Sequence, residues 1–420
     1  MPITTTYTAL LNFGPELLRR ISESLDKRSL RAFTLICQQW YLASRPVLFG
    51  KITVKTDEKY QRVLNLLKHH SQVRPWVKFL RFEKADDEDD LASPSSNDDF
   101  VKAFASELAP LLNKLERLEF AWLDEFDPQT VSCFLRGLSL LTTVHTLCLS
   151  NCMFTGDFVL SLARAFPTLT SLHILGFSIP FHHEPPLSEP KSYPLQLRCF
   201  KYHEECELIC HDEVLISTLH QAITSSPSKD IISSLDFAFV DRLSLSHISM
   251  LLKAVGSSLE ELTLKLPMSL KIWGKDRGHA EFKKHLSLNT LTNLRELRMD
   301  EIKHPATLDI LATLPDPIPL HRLTFGLEFN NISSISNKAY APLDGFLAGA
   351  RFPSTTQIWF EYKGILSNEQ VQGKLQRAFK GVYAKGVLGV SKVTKEYYYD
   401  SDSDPDMDDL GLDHALFEFY

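Results

Sequence analysis

The sequence predicts an α/β chain: a three-helix N-terminal module, then a solenoid with parallel strands on its concave face and helices on its convex face. Residues 11–54 hold three short helical patterns in succession. Across residues 75–385, short apolar cores recur at intervals of 25 to 38 residues. A stretch that can form a helix follows each core, and short strands alternating with helices stack into a solenoid. The rival architecture for this pattern is an open α/β sheet.

The N-terminal module opens on Pro15 and Glu16. Proline tolerates the first helical position, and an early glutamate complements the positive end of the helix dipole. Leu17, Leu18, Ile21 and Leu25 then recur at helical spacing. Asp26 can cap a second helix that carries Leu30, Phe33 and Cys37 along one side. Trp40, Tyr41 and Val47 continue the apolar face into a third segment, which Pro46 should end or bend. Three helices of this size cannot bury all their apolar surface alone, so they must pack on the rest of the chain, on a partner, or on both.

The run Pro15-Glu16-Leu17-Leu18, Ile21, Leu25-Asp26, Ser29-Leu30, Cys37, Trp40-Tyr41 resembles an F-box. Most F-boxes open with Leu-Pro, where this chain has Phe13-Gly14 before Pro15. The resemblance covers about a tenth of the chain. It implies docking on a Skp-type adaptor, and through it on a cullin scaffold, with Pro15, Leu17, Leu18, Ile21, Leu25, Leu30 and Trp40 as the adaptor contacts. Without the resemblance, the same helices read as a plain cap on the solenoid.

The clearest repeat is Leu141-x-x-Val144-x-x-Leu147-x-Leu149-x-x-Cys152, which resembles a leucine-rich repeat with cysteine at its closing turn. Looser copies centre on Leu80, Leu118, Leu172, Phe200, Leu235, Leu262, Leu297, Leu323 and Ile358. Helix-compatible stretches follow at residues 131–140, 158–166, 213–223, 247–255 and 307–314. One repeat cannot bury its own apolar face, so neighbours must stack. Longer loops are expected at residues 83–99, 179–194 and 265–285, the second carrying five prolines.

The net charge of −7 is unevenly placed. Residues 83–99 carry −7 and residues 396–420 carry −9, which leaves +9 on the remainder. Both acidic runs lack a packing period, and residues 394–420 are expected to form a disordered tail. Such runs solvate the chain, or they shield a basic surface until a partner arrives. Ser401 and Ser403 each have an aspartate three residues on, a context suited to an acid-directed kinase.

Seven scattered cysteines without a basic, apolar leader read as reduced thiols of cytoplasm or nucleus. Cys199, His203, Cys206, Cys210 and His211 are close in sequence, but their spacing matches no familiar zinc finger. They read either as a metal cluster or as a strand passing into a helix. No apolar run approaches the roughly 18 residues that cross a bilayer, so no membrane span is expected.

No phosphate-binding glycine loop, nucleophile elbow or zinc-protease pair is present, and neither are motifs for DNA or RNA. The expectation is therefore a protein without catalytic residues, cofactor, metal or nucleic-acid partner. It would be a substrate receptor of a cullin-type ubiquitin ligase, or a scaffold whose F-box does not drive ubiquitination. Strand alternation places the protein-substrate site. If Leu118, Phe120, Ile358, Phe360 and Tyr362 face the core, then Arg117, Glu119, Ala121, Ser171, His173, Lys201, His203, Arg298, Arg322, Trp359 and Glu361 face out. The target site is expected around Trp359, Glu361, Arg298 and Arg322, because Trp and Arg dominate interface hot spots. The alternative cover for Trp359 is the C-terminal segment with Leu416, Phe417 and Phe419.

Overall fold

The computed structural model describes residues 14–83, 101–123, 128–176, 193–203, 213–238, 242–265, 284–300, 306–318, 320–328, 337–353, 355–363 and 366–393. The chain forms two compact units, Met1–Asp236 and Phe237–Tyr420.

The first unit begins with three helices: α1 (Pro15–Ser24), α2 (Lys27–Thr34) and α3 (Gln38–Leu48). Pro15 stands in the first turn of α1, and Glu16 pairs with Arg19 at 3.1 Å and Arg20 at 3.4 Å. Asp26 caps α2, accepting from the Ser29 amide at 2.9 Å and the Ser29 hydroxyl at 2.8 Å. Pro46 sits in the last turn of α3, which ends two residues later. Leu18, Leu30 and Trp40 are buried between the helices, with the Phe33 ring 4.5 Å from that of Trp40. Ser22 and Ser44, also buried, join α1 to α3 at 3.3 Å.

This module rests on the first strands. The buried Arg45 guanidinium lies 4.2 Å from the Tyr41 ring and 5.3 Å from that of Trp76, on the short turn Ser71–Trp76. Gly50 O accepts from Lys78 N and Phe79 N, which starts the next strand beside the end of the module.

Six strands then pair parallel and in chain order: β1 (Lys51–Val54), β2 (Phe79–Glu83), β3 (Arg117–Ala121), β4 (Thr146–Ser150), β5 (Ser171–Leu175) and β6 (Cys199–His203). Return helices include α4 (Asp57–His69), α5 (Pro128–Leu138), α6 (Gly156–Ala165) and α7 (Glu213–Thr224), and a short turn of helix, α8 (Ser228–Ile231), precedes β7 (Ser234–Ala238). Leu80, Leu118, Leu147, Leu172 and Phe200 share one register row, and Phe82, Phe120, Leu149, Ile174 and Tyr202 the next; all ten are buried. Each such side chain stabilises the fold by about 1.5–3 kcal/mol relative to exposure. After three successive strands the chain takes a left-handed step, at Trp122, Asn151 and Gly176. Their amides donate to Ser150 O, Leu175 O and His203 O, so each turn is tied to the next strand. Cys152 is buried at the closing turn, 3.4 Å from Phe120 O.

The second unit repeats the plan with β8 (Glu261–Lys265), β9 (Glu296–Asp300), β10 (Arg322–Glu328), β11 (Gln357–Lys363) and β12 (Leu388–Lys392), again parallel and in chain order. Its helices are α9 (Arg242–Val255), α10 (Ala306–Ala312), α11 (Asn337–Ala348), α12 (Asn368–Ala378) and α13 (Lys380–Ala384). Its core stacks Phe325 on Phe360 at 5.5 Å, and the Phe379 ring lies tilted 4.7 Å from Phe360. A capping box of Ser367 and Gln370 starts α12. Within each unit, parallel strands in chain order with helical returns are the arrangement of a repeat solenoid.

All ten expected strand cores are strands. Two more were not expected. β1 lies inside residues 11–54 yet pairs with β2, and β12 lies beyond residue 385 yet pairs with β11. Both alternate apolar residues, Ile52 with Val54 and Leu388 with Val390, but they lie outside the expected repeats, and register with a neighbour identifies them as strands. Most of residues 83–99, 179–194 and 265–285 lie outside the described residues, as do Cys206, Cys210, His211, Ser401, Ser403 and residues 394–420. No described helix is long and apolar enough to cross a membrane.

Candidate functional site

Alternation along β9–β12 brings the four expected target-site residues to one outward patch. Arg298, Thr324, Trp359 and Gly389 share a register row across four strands. Ile358, Phe360 and Tyr362 are buried, whereas Trp359 and Glu361 are half-buried on the opposite face. The Arg322 guanidinium stands 5.0 Å from the Trp359 ring centroid. The indole N–H donates to Gln357 Oε1 at 3.1 Å, which fixes the ring's orientation.

Beside this pair runs a charge relay. Arg298 donates through Nη1 to Glu361 and through Nε to Asp300 Oδ1 at 3.1 Å, and Arg322 Nη2 lies 3.7 Å from Glu361. Arg298 is thus occupied in holding the carboxylates in place. Arg322 is shared between one carboxylate and one aromatic face. Two glycines make the arrangement possible. A Cβ at Gly326 would lie 2.0 Å from Asp300 Oδ1, and one at Gly389 would lie 2.7 Å from Trp359 Cδ2. The patch offers an indole with a guanidinium over its ring. Such a surface takes an apolar or aromatic side chain together with a carboxylate or carbonyl group.

The outward face of the first unit differs. Residues 117, 119, 121, 171, 173, 201 and 203 do face away from the core residues, but several are not open to solvent. Glu119, Ala121, Cys148 and Ser150 are buried. Longer neighbours close over them: Arg81 and Arg117 each reach Glu119 at 3.1 Å. Farther along, His203 Nε2 lies 2.9 Å from Asp236 Oδ1 and Lys201 Nζ 3.4 Å from Asp236 Oδ2. Burial alone would raise the Asp236 carboxyl, yet the His203 and Lys201 partners hold it below the usual range. His173 is pushed down to about 3, first by burial and then by the charges of Lys201 and Arg117. Burial raises the Cys148 thiol, so it stays protonated. Sequence alternation alone gave the facing of these residues but not their crowding, which depends on register between strands. No group of three or more metal-ligating side chains occurs among the described residues. Of the candidate cysteine–histidine cluster, only Cys199 and His203 are described, at opposite ends of β6.

The expected adaptor contacts divide into two sets. Leu18, Leu30 and Trp40 lie inside the three-helix module. Ile21 and Leu25 are half-buried, and Pro15 and Leu17 are exposed. Further apolar side chains stand in water beside them: Leu17 is 47% exposed, Leu35 74%, Ile36 53% and Leu42 55%. Sequence reasoning missed Leu35, Ile36 and Leu42. The adjacent Leu35-Ile36 pair, just past the end of α2, was the signal, because a turn there gives neither side chain a helix face to bury.

No family model matches the chain, and no curated protein matches it. Among solved structures, one similar chain comes from the crystal structure of the yeast Rad7 and Elc1 complex. The match has a TM-score of 0.35 and 13% identity, and covers 93% of this chain and 98% of that one. A likeness of this degree assigns neither activity nor partner to the present chain.

Proposed function

We propose that the chain is a non-catalytic receptor: residues 15–48 dock on a Skp-type adaptor of a cullin-type ubiquitin ligase, and the outward face of β9–β12 holds a target protein. The observation that carries this reading is the state of the N-terminal module. It buries Leu18, Leu30 and Trp40 for its own cohesion and rests on the first repeat through Arg45, yet leaves Leu17, Leu35, Ile36 and Leu42 in water. Isolated exposed leucines are ordinary. Four large exposed apolar side chains within 26 residues of sequence support a docking surface on this module. The F-box-like order of residues supplies the identity of the partner. The paired Trp359 and Arg322 supply the chemistry of the second site, since these residue types concentrate binding energy at interfaces. Activity on the target would then belong to the recruited ligase, in cytoplasm or nucleus.

Purification of the full chain from its own cells, with the bound proteins identified, tests the reading. A receptor brings down both adaptor and cullin; adaptor without cullin supports the scaffold reading instead. Trp359→Ala should retain the adaptor and lose a target captured by the unaltered chain. Loss of both together would show that the two sites are not independent.

A further inference from the structure

The described part of the second unit ends on a sheet edge. β12 pairs with β11, from Ile358 opposite Leu388 to Tyr362 opposite Lys392, and with no other strand among the described residues. Ile358 N donates to Val387 O, and Val393 N donates to Tyr362 O. Residues 387 and 393 therefore turn their backbone groups toward β11. Backbone direction alternates along a strand, so the N–H and C=O of Leu388, Val390 and Lys392 point away from the sheet. The side chains agree. Inward-facing residues of β8 to β11 are buried, from Leu262 and Leu264 to Phe360 and Tyr362, whereas Leu388 and Val390 are only half-buried. Tyr383, on the adjoining α13, is exposed. An apolar edge whose outward backbone groups meet no strand among the described residues is a template for a further strand.

We propose that residues 415–420 of this chain, Ala-Leu-Phe-Glu-Phe-Tyr, dock on the β12 edge as that strand. Three observations select this occupant. The described chain stops at Val393 beside the edge, and 21 residues separate it from Ala415. At about 3.3 Å per residue they reach roughly 70 Å, more than enough to turn back along a five-residue strand. The hexapeptide also alternates as an edge strand must. With Phe417 and Phe419 against Leu388, Val390 and Tyr383, the side chains of Leu416, Glu418 and Tyr420 fall on the outward face. There the Trp359 indole spreads over Gly389, which has no side chain to block it, and so reaches toward the edge. Charge is the third. Residues 396–420 carry nine acidic side chains, and Lys392 at the end of β12 is exposed. Docking does not depend on the receptor reading.

Amide hydrogen exchange at Leu388, Val390 and Lys392 tests this directly. It is compared in the full chain, in a chain ending at Val393, in that shorter chain with a synthetic peptide of residues 411–420, and in the full chain carrying Phe417→Asp with Phe419→Asp. The three amides should exchange at least about tenfold more slowly in the full chain than in the shortened or doubly substituted one. The peptide should restore protection, while amides within β10 stay unchanged throughout. Equal exchange in the full and shortened chains overturns the proposal. Fast exchange in both means an open edge, and slow exchange in both with a doubled mass means that a second copy is seated there.

Discussion

Trp359 and His173 occupy equivalent outward positions, each following the first core residue of its strand, on β11 and β5. Their neighbours decide what each can do. Gly389 gives the half-buried indole its bed, and the Arg322 guanidinium lies over the ring. Desolvation first, and then the positive charges of Lys201 and Arg117, keep the half-buried His173 imidazole neutral. The second arrangement has a consequence for stability. An unfolded histidine takes up a proton below about pH 6.5, whereas His173 in the fold does so only near pH 3. Between these values the unfolded state binds more protons, so this contribution is complete above pH 6.5 and is lost as pH falls. The slope is at most about 1.4 kcal/mol per pH unit for one proton. His173→Asn should therefore reduce the stability lost between pH 6.5 and 4.5 by roughly 1–2 kcal/mol, as read from urea unfolding at the two pH values. Equal losses in both proteins would show that His173 is protonated within the fold.

At the scale of elements, the strand cores were legible and the ends of the sheet were not. Leu118 with Phe120, and Ile358 with Phe360, announce themselves by alternation, since a buried face needs every second residue to be apolar. β1 and β12 alternate as well, at Ile52 and Val54 and at Leu388 and Val390, but they lie outside the repeats read from the sequence, and their pairing with β2 and β11 identifies them as strands. Likewise the outward facing of Trp359, Glu361, Arg298 and Arg322 could be read from parity, because they flank inward residues by one. That Arg298 would be taken up by Asp300 and Glu361 could not, because it depends on which strands become neighbours. Gly389 shows how narrowly one element fits another. In Gly389→Ala the new Cβ would press on the indole, with an expected cost of about 1–3 kcal/mol. In a Trp359→Ala background the same substitution should cost much less, and a double-mutant cycle by thermal or urea unfolding measures the difference. Additive costs would mean that the indole does not rest on that glycine.

At the scale of the whole molecule, the division of labour follows from where apolar surface is left over. The first unit carries exposed leucine and isoleucine on its N-terminal helices, and the second carries an aromatic–guanidinium patch and a strand edge with no partner among the described residues. Single exposed apolar side chains, among them Trp122, Leu140 and Met250, are scattered over the repeats. The chain's acidity lies largely in residues 83–99 and 396–420, so the remaining residues carry a net positive charge. The adaptor-docking role of the N-terminal helices is the claim on which the receptor reading stands. Its direct measurement is calorimetric titration of a purified Skp-type adaptor into the full chain and into a Leu35→Asp, Ile36→Asp variant. Both residues are solvent-exposed, so the substitutions spare the interior formed by Leu18, Leu30 and Trp40. A one-to-one complex with the unaltered chain, weakened at least about tenfold in the variant at unchanged melting temperature, is the expected result. No complex with the unaltered chain, or equal affinity for both proteins, would contradict it.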